Sequence, residues 1–478
     1  MSAIARRDGH HTRLAVLNQH NLSALLDAFA PDVVAYSTMT PNEGLFFHAD
    51  RLVRDWQARQ TRRILRIMGG PHPTFFPEVL DKFSLDAICV GDGDATLPRV
   101  LSAWERGESL DGIPNLVTAT CPVPPKETVD ALDALPFADR AVFYEAAPDL
   151  QAAGIRSVQT QRGCPYKCTY CFNHAYNKMF KGEGRQLFRR RSVDNVIAEL
   201  RHIIEHFPTA RMIRFSDDVF VTRTSMPWLE EFARRYPGEI GLPYYCLIRP
   251  DAVTEEIAAL LARTGCRSVG MSIESGDERI RNTVLKRNIA NETLRHAFAL
   301  CHRHGIRVYG NTMLGLPGTT LADDFNSVRF SQGLGHAAPT FSIFSPFPKT
   351  ELTNLAIELA VLSANFDYAS IRYEAPSVLE QYTSGEREQL YRLKNLAPLF
   401  CCLPKSLLRL LGPLTRLPLD RFYVLLGSLT EAFLLSRIFP GAQPRHPVAL
   451  LKSVLLAIRS LGGEHAIPSG QPTASRKR

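Results

Sequence analysis

The 478-residue chain has no run of about 18 consecutive uncharged apolar residues, the length that a spanning helix needs. Its first eleven residues also lack an apolar stretch long enough for a signal peptide. We therefore expect no membrane span and a location in the reducing cytoplasm. The ten cysteines are then expected to be thiols or metal ligands rather than disulfides.

Acidic residues are scarce in the last part of the chain. Residues 391–478 contain thirteen Lys and Arg but three Asp and Glu. This excess of positive charge is larger than the net charge of +8 of the whole chain, so the remaining residues are slightly acidic. A nucleic-acid-binding surface would not concentrate its charge in this way, and we expect no nucleic-acid partner. Leucines lie between these basic residues, for example at 407–411 and 425–426. Two interpretations remain open: basic amphipathic helices that lie peripherally on the inner membrane face, or a helical lid with its charged face in water.

Short apolar strands alternate with helical stretches up to about residue 110, a pattern typical of a parallel sheet wrapped by helices. The predicted strands are Arg13–Asn18, Val33–Thr38, Arg63–Met68 and Ala87–Gly91, and a helix is predicted at Leu45–Arg59. Residues 111–150 are rich in Pro, Asp and Ala and are predicted to form a linker. The predicted domains are thus 1–110, 151–350 and 351–478, the last one helical with a frayed tail.

A second series of strands and helices occupies residues 151–350. The predicted strands are Arg156–Gln161, Met212–Phe215, Pro243–Ile248, Ser268–Ile273, Arg307–Leu314 and Pro339–Phe344. Ser192 is the predicted N-cap of a helix whose apolar stripe begins at Val193. Six such units predict an open (β/α)6 partial TIM barrel, in which chemistry takes place at the carboxyl ends of the strands.

Three cysteines follow the first barrel strand in a C-x3-C-x2-C loop: Cys164, Cys168 and Cys171. A [4Fe–4S] cluster needs one ligand per iron, so three cysteines without a fourth nearby leave one iron free to bind a substrate. This spacing therefore predicts a catalytic cluster. The alternative is a zinc site in which His174 supplies the fourth ligand.

Later strand ends carry motifs that complete a family pattern. Phe215-Ser-Asp-Asp-Val-Phe220, Ser272-Ile-Glu-Ser-Gly-Asp-Glu-Arg279 and Asn311-Thr-Met-Leu-Gly-Leu-Pro-Gly-Thr-Thr320 follow three successive predicted strand ends. With the cysteine loop, they resemble radical S-adenosylmethionine enzymes of the branch with an N-terminal cobalamin-binding domain. The resemblance implies a [4Fe–4S] cluster on the three cysteines and a bound S-adenosylmethionine. The residues implied to contact S-adenosylmethionine are Asp217, Asp218, Arg249, Glu274, Ser275, Gly276, Gly315 and Pro317.

The resemblance implies separate roles for several of these residues. A carboxylate at 217 or 218 would pair with the methionine ammonium, and Arg249 would neutralise the methionine carboxylate. Glu274 would accept hydrogen bonds from the ribose hydroxyls, and Gly276 would permit a sharp turn. Gly315 would let the backbone approach the ligand closely.

Three strand ends of the front domain resemble those of the family's cobalamin domain, which has a Rossmann-type, flavodoxin-like α/β fold. The residues implied to face the corrin are Ser37, Thr38, Gly70, His72, Gly91 and Gly93. Residues 9–14 resemble the second strand of that domain, so we expect its usual first strand to be absent from this sequence. Since that strand is central in the flavodoxin order, we expect its loss to split the sheet. Two alternatives remain open: the domain starts upstream of this sequence, or it is degenerate and does not bind cobalamin.

The resemblance implies an enzyme that forms a 5′-deoxyadenosyl radical and carries out cobalamin-dependent methyl transfer to a substrate carbon. Two alternatives remain open: a non-methylating radical reaction such as oxidative cyclisation or rearrangement, and a non-catalytic zinc-binding protein. The expected partners are a small-molecule substrate and an external electron donor such as flavodoxin or ferredoxin. The Leu-rich basic C-terminus favours a lipid, isoprenoid or tetrapyrrole as the substrate.

Overall fold

A computed structural model describes residues 1–17, 19–180, 188–371 and 375–439. The strands in these ranges are β1 Val33–Ser37, β2 Leu65–Gly69, β3 Ala87–Cys89, β4 Leu116–Val117, β5 Ile155–Val158, β6 Gln161–Arg162, β7 Arg189–Arg190, β8 Met212–Phe215, β9 Tyr244–Leu247, β10 Cys266–Gly270, β11 Arg307–Leu314 and β12 Ala338–Ile343. The α-helices are α1 Ser2–Arg7, α2 Leu22–Phe29, α3 Glu43–Gln57, α4 Pro71–Phe75, α5 Val79–Lys82, α6 Thr96–Arg106, α7 Arg140–Ala146, α8 Pro148–Ala152, α9 Phe172–Phe180, α10 Val193–His206, α11 Met226–Glu239, α12 Glu255–Arg263, α13 Asn291–Arg303, α14 Leu321–Gly333, α15 Glu351–Glu358, α16 Ser384–Cys401, α17 Leu411–Thr415 and α18 Asp420–Ile438.

The front sheet has the strand order β1-β2-β3-β4, in which the first three strands are parallel and β4 is antiparallel. The strands predicted near residues 33, 63 and 87 are confirmed. The strand predicted at Arg13–Asn18 is wrong for residues 13–17, which form no strand; Asn18 lies outside the described residues. The sheet is not split, because β1 pairs directly with β2 along its whole length. Strand β4 comes from the predicted linker, part of which is therefore folded onto this sheet.

The second sheet has six parallel strands in the order β12-β11-β10-β9-β8-β5, as the sequence predicts. Helices α10 to α13 cover its outer face, where Ile213, Phe215 and Val269 are fully buried. Ser192 caps α10 by accepting a hydrogen bond from Asn195 N at 3.1 Å, as predicted. Because the outermost strands β5 and β12 do not pair with each other, the barrel is open.

The C-terminal helices close one side of this barrel. Helix α16 packs on the outer side of β12, while the end of α18 enters the inside of the barrel. There Leu434 and Ile438 are buried against Met212, Tyr245 and Ala338. The described C-terminal helices thus pack on the barrel, and the predicted frayed tail lies outside the described residues. Within the described ranges, no helix combines the length and apolar character needed to cross a bilayer.

Candidate functional site

The cysteine loop starts at the carboxyl end of the first barrel strands and ends at the first turn of α9. Cys168 is buried, and Cys164 and Cys171 are half-buried. Asn177 on α9 donates a hydrogen bond to the carbonyl of Cys164 at 3.0 Å, which ties the start of the loop to the helix after it. Thr169 N donates to Leu285 O, and Leu352 N donates to Thr169 O at 3.0 Å. The loop is thus held from both sides by backbone hydrogen bonds.

The three thiols are close enough to influence one another. Burial raises the pKa of the Cys164 thiol to about 12, and Cys171, Asp218 and Cys168 add to the rise. Burial also raises the pKa of Cys171, with smaller contributions from Cys168 and Asp218. Thiolates in this loop therefore need a positive partner, which a metal centre supplies.

Three cysteines of one loop are a donor set that suits a [4Fe–4S] cluster. Within the described residues, no three His, Cys, Asp or Glu side chains are grouped to hold one metal ion. His174, the fourth ligand of the zinc alternative, has its Nε2 3.0 Å from Glu351 Oε1. A [4Fe–4S] cluster makes a different demand, because each thiolate binds a different iron and the three need not converge on one point. The three thiols of this one loop meet that demand.

The two adjacent carboxylates after β8 lie in different environments. Asp217 is fully buried and accepts hydrogen bonds from Thr160 N, Thr160 Oγ1 and Gln161 N at 2.7 to 3.0 Å. Burial raises the pKa of Asp217 to about 6, although these hydrogen bonds oppose the rise. Asp218 is exposed and lies near Cys164 and Cys171. Only Asp218 therefore presents a carboxylate towards the space above the cysteine loop, while Asp217 holds the β5–β6 connection in place.

Glu274 lies at the centre of a buried polar network beside the loop. Its Oε1 accepts a hydrogen bond from Tyr170 Oη at 2.7 Å and lies 3.0 Å from Arg287 Nη1. The backbone of Glu274 has a φ of 65°, and its carbonyl accepts from Met313 N at 2.7 Å. A non-glycine residue in this left-handed region is uncommon, and such strain is often found at functional sites. The network fixes one carboxylate oxygen and leaves the second available to a ligand.

Arg249, predicted to bind the methionine carboxylate, lies directly against the loop. Its Nη1 is 3.5 Å from Cys168 Sγ, its Nε donates to Asp251 at 2.9 Å, and its guanidinium stacks 3.8 Å from the centre of the Tyr166 ring. Its Nη2 also donates to the carbonyl of Arg287 at 2.9 Å. Arg249 is therefore a positive charge beside the second cysteine, and most of its donors are already used by the protein.

Four other predicted residues are buried or closely packed. Ser275 is buried and accepts a hydrogen bond from Asp277 N, and Pro317 is buried as well. The φ of Gly276 is not positive, so a sharp turn does not explain why a glycine stands at this position. The explanation is packing, because a Cβ here would lie 2.6 Å from the Cα of Ser327 on α14. A Cβ on Gly315 would lie 2.9 Å from the Leu390 side chain of α16. Both glycines thus permit the close approach of a helix.

The carboxyl ends of β1 and β2 carry four of the residues predicted to face a corrin. Ser37 is exposed, while Thr38 is buried and donates its backbone N–H to Gly69 O. Gly70 has a φ of 101°, and a Cβ there would lie 2.9 Å from the carbonyl of Thr38. His72 is 3% exposed, and its Nε2 lies 3.7 Å from Glu43 Oε1. Gly70 thus permits the close approach of the β1 and β2 strand ends, and His72 is held inside the domain.

The end of β3 is in contact with the helix that follows the cysteine loop. A Cβ on Gly91 would lie 2.5 Å from the ring of Phe180, and one on Gly93 would lie 3.4 Å from Cys89 Sγ. Phe172, at the start of α9, contacts Phe75 with ring centres 5.1 Å apart. The rings of Phe172, Tyr176 and Phe180 form a stacked row along α9. This aromatic row therefore joins the cysteine loop to the strand ends of the front domain.

Two acidic residues with a role in the site were missed by the sequence analysis. Asp94 forms an ion pair with Arg162, two residues before Cys164, and Asp92 forms one with Arg189 on β7. They stand next to Gly91 and Gly93, and the two arginines lie on β6 and β7. The sequence does not show which basic residues pair with the acidic loop after β3, because these arginines are distant in sequence and approach the loop only in the folded protein. These ion pairs fix the base of the cysteine loop to the front domain.

The front α/β sheet, the open six-stranded barrel and the three-cysteine loop together define an iron–sulfur enzyme with two adjoining cofactor regions. Residues 158–330 match the model of the radical SAM superfamily, and residues 1–101 match that of the B12 binding domain. The chain belongs to the radical SAM superfamily, in the branch that carries a B12 binding domain. The cofactors of this branch are a [4Fe–4S] cluster, S-adenosylmethionine and cobalamin.

Similar proteins include characterised and uncharacterised enzymes. An uncharacterized methyltransferase of Pyrococcus horikoshii is 24% identical over 402 residues, which cover 81% of this chain and 83% of the relative. The hopanoid C-3 methylase of Methylococcus capsulatus is 27% identical, with 57% of this chain and 52% of the relative covered. Among solved structures, the radical S-adenosylmethionine methyltransferase TsrM of Kitasatospora setae, with cobalamin and a [4Fe–4S] cluster bound, has a TM-score of 0.66 at 16% identity, covering 96% of this chain and 95% of that chain. This likeness confirms the fold.

Proposed function

We propose that the protein is a cobalamin-dependent radical methyltransferase that acts on a carbon of a small molecule. The observation that carries the proposal is helix α9, which starts directly after Cys171 and contacts the front domain at Phe75 and Gly91. One rigid element thus joins the two cofactor regions. The methyltransferases among the similar proteins support methyl transfer over a non-methylating radical reaction.

The residues of the loop have separate tasks in this proposal. Cys164, Cys168 and Cys171 hold the cluster, and Asp218 orients the ammonium of S-adenosylmethionine through a charge-assisted hydrogen bond. Glu274, fixed by Tyr170 and Arg287, accepts from the ribose. When bound, the cluster supplies the electron that cleaves S-adenosylmethionine, and cobalamin supplies a methyl carrier.

The predicted domains 1–110, 151–350 and 351–478, with 111–150 as a linker, remain part of the proposal. So do the S-adenosylmethionine contacts at Arg249 and Gly315, whereas Asp217, whose carboxylate accepts from Thr160 and Gln161, is proposed to hold the β5–β6 connection instead. An external one-electron donor, such as a flavodoxin or ferredoxin, would be required, because the bound cluster would be oxidised by one electron when it cleaves S-adenosylmethionine and would have to be reduced again.

The substrate class is proposed to be a lipid, isoprenoid or tetrapyrrole taken up at a membrane surface. Three large apolar side chains on α18 support this: Phe422, Leu429 and Phe433 are 56%, 43% and 64% exposed. A groove of about 320 Å³ beside Phe433 is lined mainly by apolar side chains of α16 and α18. The similarity to the hopanoid C-3 methylase, which acts on a lipid, agrees with this class.

The deciding experiment measures iron, sulfide, cobalt and zinc in protein purified without oxygen after growth with cobalamin, followed by incubation with methyl-labelled S-adenosylmethionine and a membrane lipid extract. We expect about four irons and one cobalt per chain, with label transferred to a lipid. Equal amounts of 5′-deoxyadenosine and S-adenosylhomocysteine would accompany methyl transfer. Excess 5′-deoxyadenosine would instead indicate the non-methylating reaction. Zinc without iron would refute the proposal that the protein is a radical enzyme.

A further inference from the structure

A cavity on the outer side of the barrel has no role in the proposed chemistry. It lies between α14, α16 and the segment that joins α16 to α18, and its volume is about 370 Å³. That segment contains a short 3-10 helix, Lys405–Leu410, and α17. None of the residues that line the cavity belongs to the cysteine loop or to a strand. Whatever this cavity binds is therefore neither the cluster nor a ligand of the strand ends.

The rim of the cavity is positively charged. Three exposed arginines line it, Arg329, Arg409 and Arg416, and no carboxylate is among the described lining residues. Arg329 Nη1 donates to Asn326 Oδ1 at 2.7 Å, which is a neutral partner. Arg409 and Arg416 form no hydrogen bond or ion pair within the part of the chain that the structure describes. Three guanidinium groups without a neutralising acid favour an anionic ligand.

The inner wall of the cavity is apolar. Leu411 is 1% exposed, and Leu321, Phe325 and Leu408 are half-buried against the hydrophobic core that α16 forms with the outer side of β12. An inorganic anion has no apolar part that could cover this wall. A site with cations at the rim and apolar side chains inside suits an amphiphile whose polar group is anionic.

The chain beside the cavity exposes large apolar side chains to the solvent. Leu410, Leu417 and Leu419 are 45%, 46% and 47% exposed. Arg409 and Arg416 directly precede two of these leucines. Exposed apolar side chains next to cations are typical of segments that contact the interface of an anionic bilayer. A lipid of such a bilayer, rather than a dissolved amphiphile, is therefore the occupant that the surroundings favour.

We propose that this cavity binds one anionic phospholipid of a membrane. The phosphate is held by the three arginines, and the start of an acyl chain lies against Phe325 and Leu411. A guanidinium suits this task because it binds a phosphate through two parallel hydrogen bonds. The lipid is a surface ligand and not the methyl acceptor, so the inference does not depend on the proposed function. It differs from contact through the exposed side chains of α18, because it selects lipids by the charge of the headgroup.

The test measures the binding of three ligands to the full-length, iron-reconstituted protein by calorimetry at physiological ionic strength. The ligands are dihexanoylphosphatidic acid and dihexanoylphosphatidylcholine, both below the concentration at which they form micelles, and inorganic phosphate. Phosphatidylcholine keeps the acyl chains but has no net charge, whereas inorganic phosphate has the charge but no chain. No turnover is needed, so the result is independent of whether methyl transfer is observed.

We expect phosphatidic acid to bind about tenfold or more tightly than either of the other ligands, because it alone uses both the arginines and the apolar wall. Equal affinity for inorganic phosphate would overturn the proposal, since the site would then be a simple anion site. Equal affinity for phosphatidylcholine would also overturn it, since the arginines would have no part in binding. Absence of phosphatidic acid binding would have the same consequence.

Two double variants of equal charge test the location. Arg409→Gln with Arg416→Gln should weaken the binding of phosphatidic acid by about tenfold or more, because two charge-assisted contacts are lost. Arg234→Gln with Arg263→Gln is the control, since it removes two exposed arginines from the outer helices α11 and α12. This control should bind phosphatidic acid as the unmodified protein does. An equal loss in both double variants, or a loss in neither, would contradict the assignment of the lipid to this cavity.

Discussion

Neighbouring residues of one type divide their work in this site according to burial. Asp217 and Asp218 share one motif, yet the first accepts three hydrogen bonds inside the protein and the second faces the cysteine loop. The buried carboxylate stabilises the β5–β6 connection that leads into the loop. The exposed carboxylate is free to pair with a ligand.

The different environments of the two carboxylates predict different effects for two matched substitutions, one on stability and the other on ligand affinity. Asp217→Asn should lower the free energy of unfolding by about 1–3 kcal/mol, because an amide nitrogen would face buried donors. Asp218→Asn should leave stability within about 0.5 kcal/mol but weaken S-adenosylmethionine binding about tenfold, equivalent to about 1.4 kcal/mol. Urea unfolding and equilibrium dialysis on reconstituted protein measure the two effects. Unchanged affinity in Asp218→Asn would contradict its role.

Asp324 on α14 makes stability depend on pH near neutrality. Burial raises the pKa of Asp324 to about 7, against the opposing hydrogen bonds from Gly315 N and Tyr382 Oη. A carboxyl whose pKa is raised on folding stabilises the protein fully below its unfolded value, about 3.9, and this contribution is lost as the pH rises through 7. The melting temperature should therefore fall between pH 6 and pH 8.

The control for this prediction is Asp324→Asn, which keeps an oxygen for Gly315 N and does not titrate. Between the two pH values the melting temperature of the wild-type protein should fall more than that of Asp324→Asn. At lower pH the melting temperatures of the two proteins should be closer to each other. Parallel melting curves for the two proteins across this range would show that Asp324 is not the titrating group.

At the scale of elements, the strands were predictable because each is a local apolar run bounded by turn residues. The six barrel strands were found to within a few residues for this reason. Arg13–Asn18 has the same local pattern, but its described residues pair with no neighbouring strand. The cysteine spacing is equally local, and it predicts the cluster ligands. Roles that depend on distant elements were not predictable: the donors that bury Asp217 lie on residues 160 and 161.

The crossing of α16 and α18 depends on a single small residue. A Cβ on Gly427 would lie 2.7 Å from the carbonyl oxygen of Asn395 on α16, which is a backbone atom and cannot rotate away. Gly427→Ala should therefore destabilise the protein by about 1–3 kcal/mol through overpacking. Gly412→Ala is the control, since nothing lies within 4 Å of the added atom. Urea unfolding should separate the two variants; equal midpoints would mean that the helices move apart freely.

At the scale of the whole molecule, the front domain and the described C-terminal helices enclose the barrel from different sides. The front domain reaches the cysteine loop through Asp92, Asp94 and the aromatic row of α9. The C-terminal helices close the far end of the barrel with Leu434 and Ile438. Water can thus be excluded from the barrel floor, while access remains at the free edge of β5.

The outer face of α18 gives the molecule a surface suited to anionic membranes. Phe422, Leu429 and Phe433 recur at a spacing that places them on one side of the helix, and the exposed Arg421 and Arg437 flank them. Apolar side chains with nearby cations are typical of peripheral membrane contact. The protein should therefore co-sediment with phosphatidylglycerol vesicles at low salt and bind weakly to phosphatidylcholine.

A double substitution tests whether α18 makes this contact. Phe422→Ser with Phe433→Ser should reduce binding to anionic vesicles by about tenfold or more, because two exposed aromatic side chains no longer enter the lipid. Phe143→Ser on α7, which removes a 52% exposed ring from another surface, should have no effect. Indifference to lipid charge, or equal binding by the double variant, would exclude α18 as the contact. Loss of both binding and lipid methylation in the double variant, with iron content unchanged, would link substrate uptake to the membrane surface.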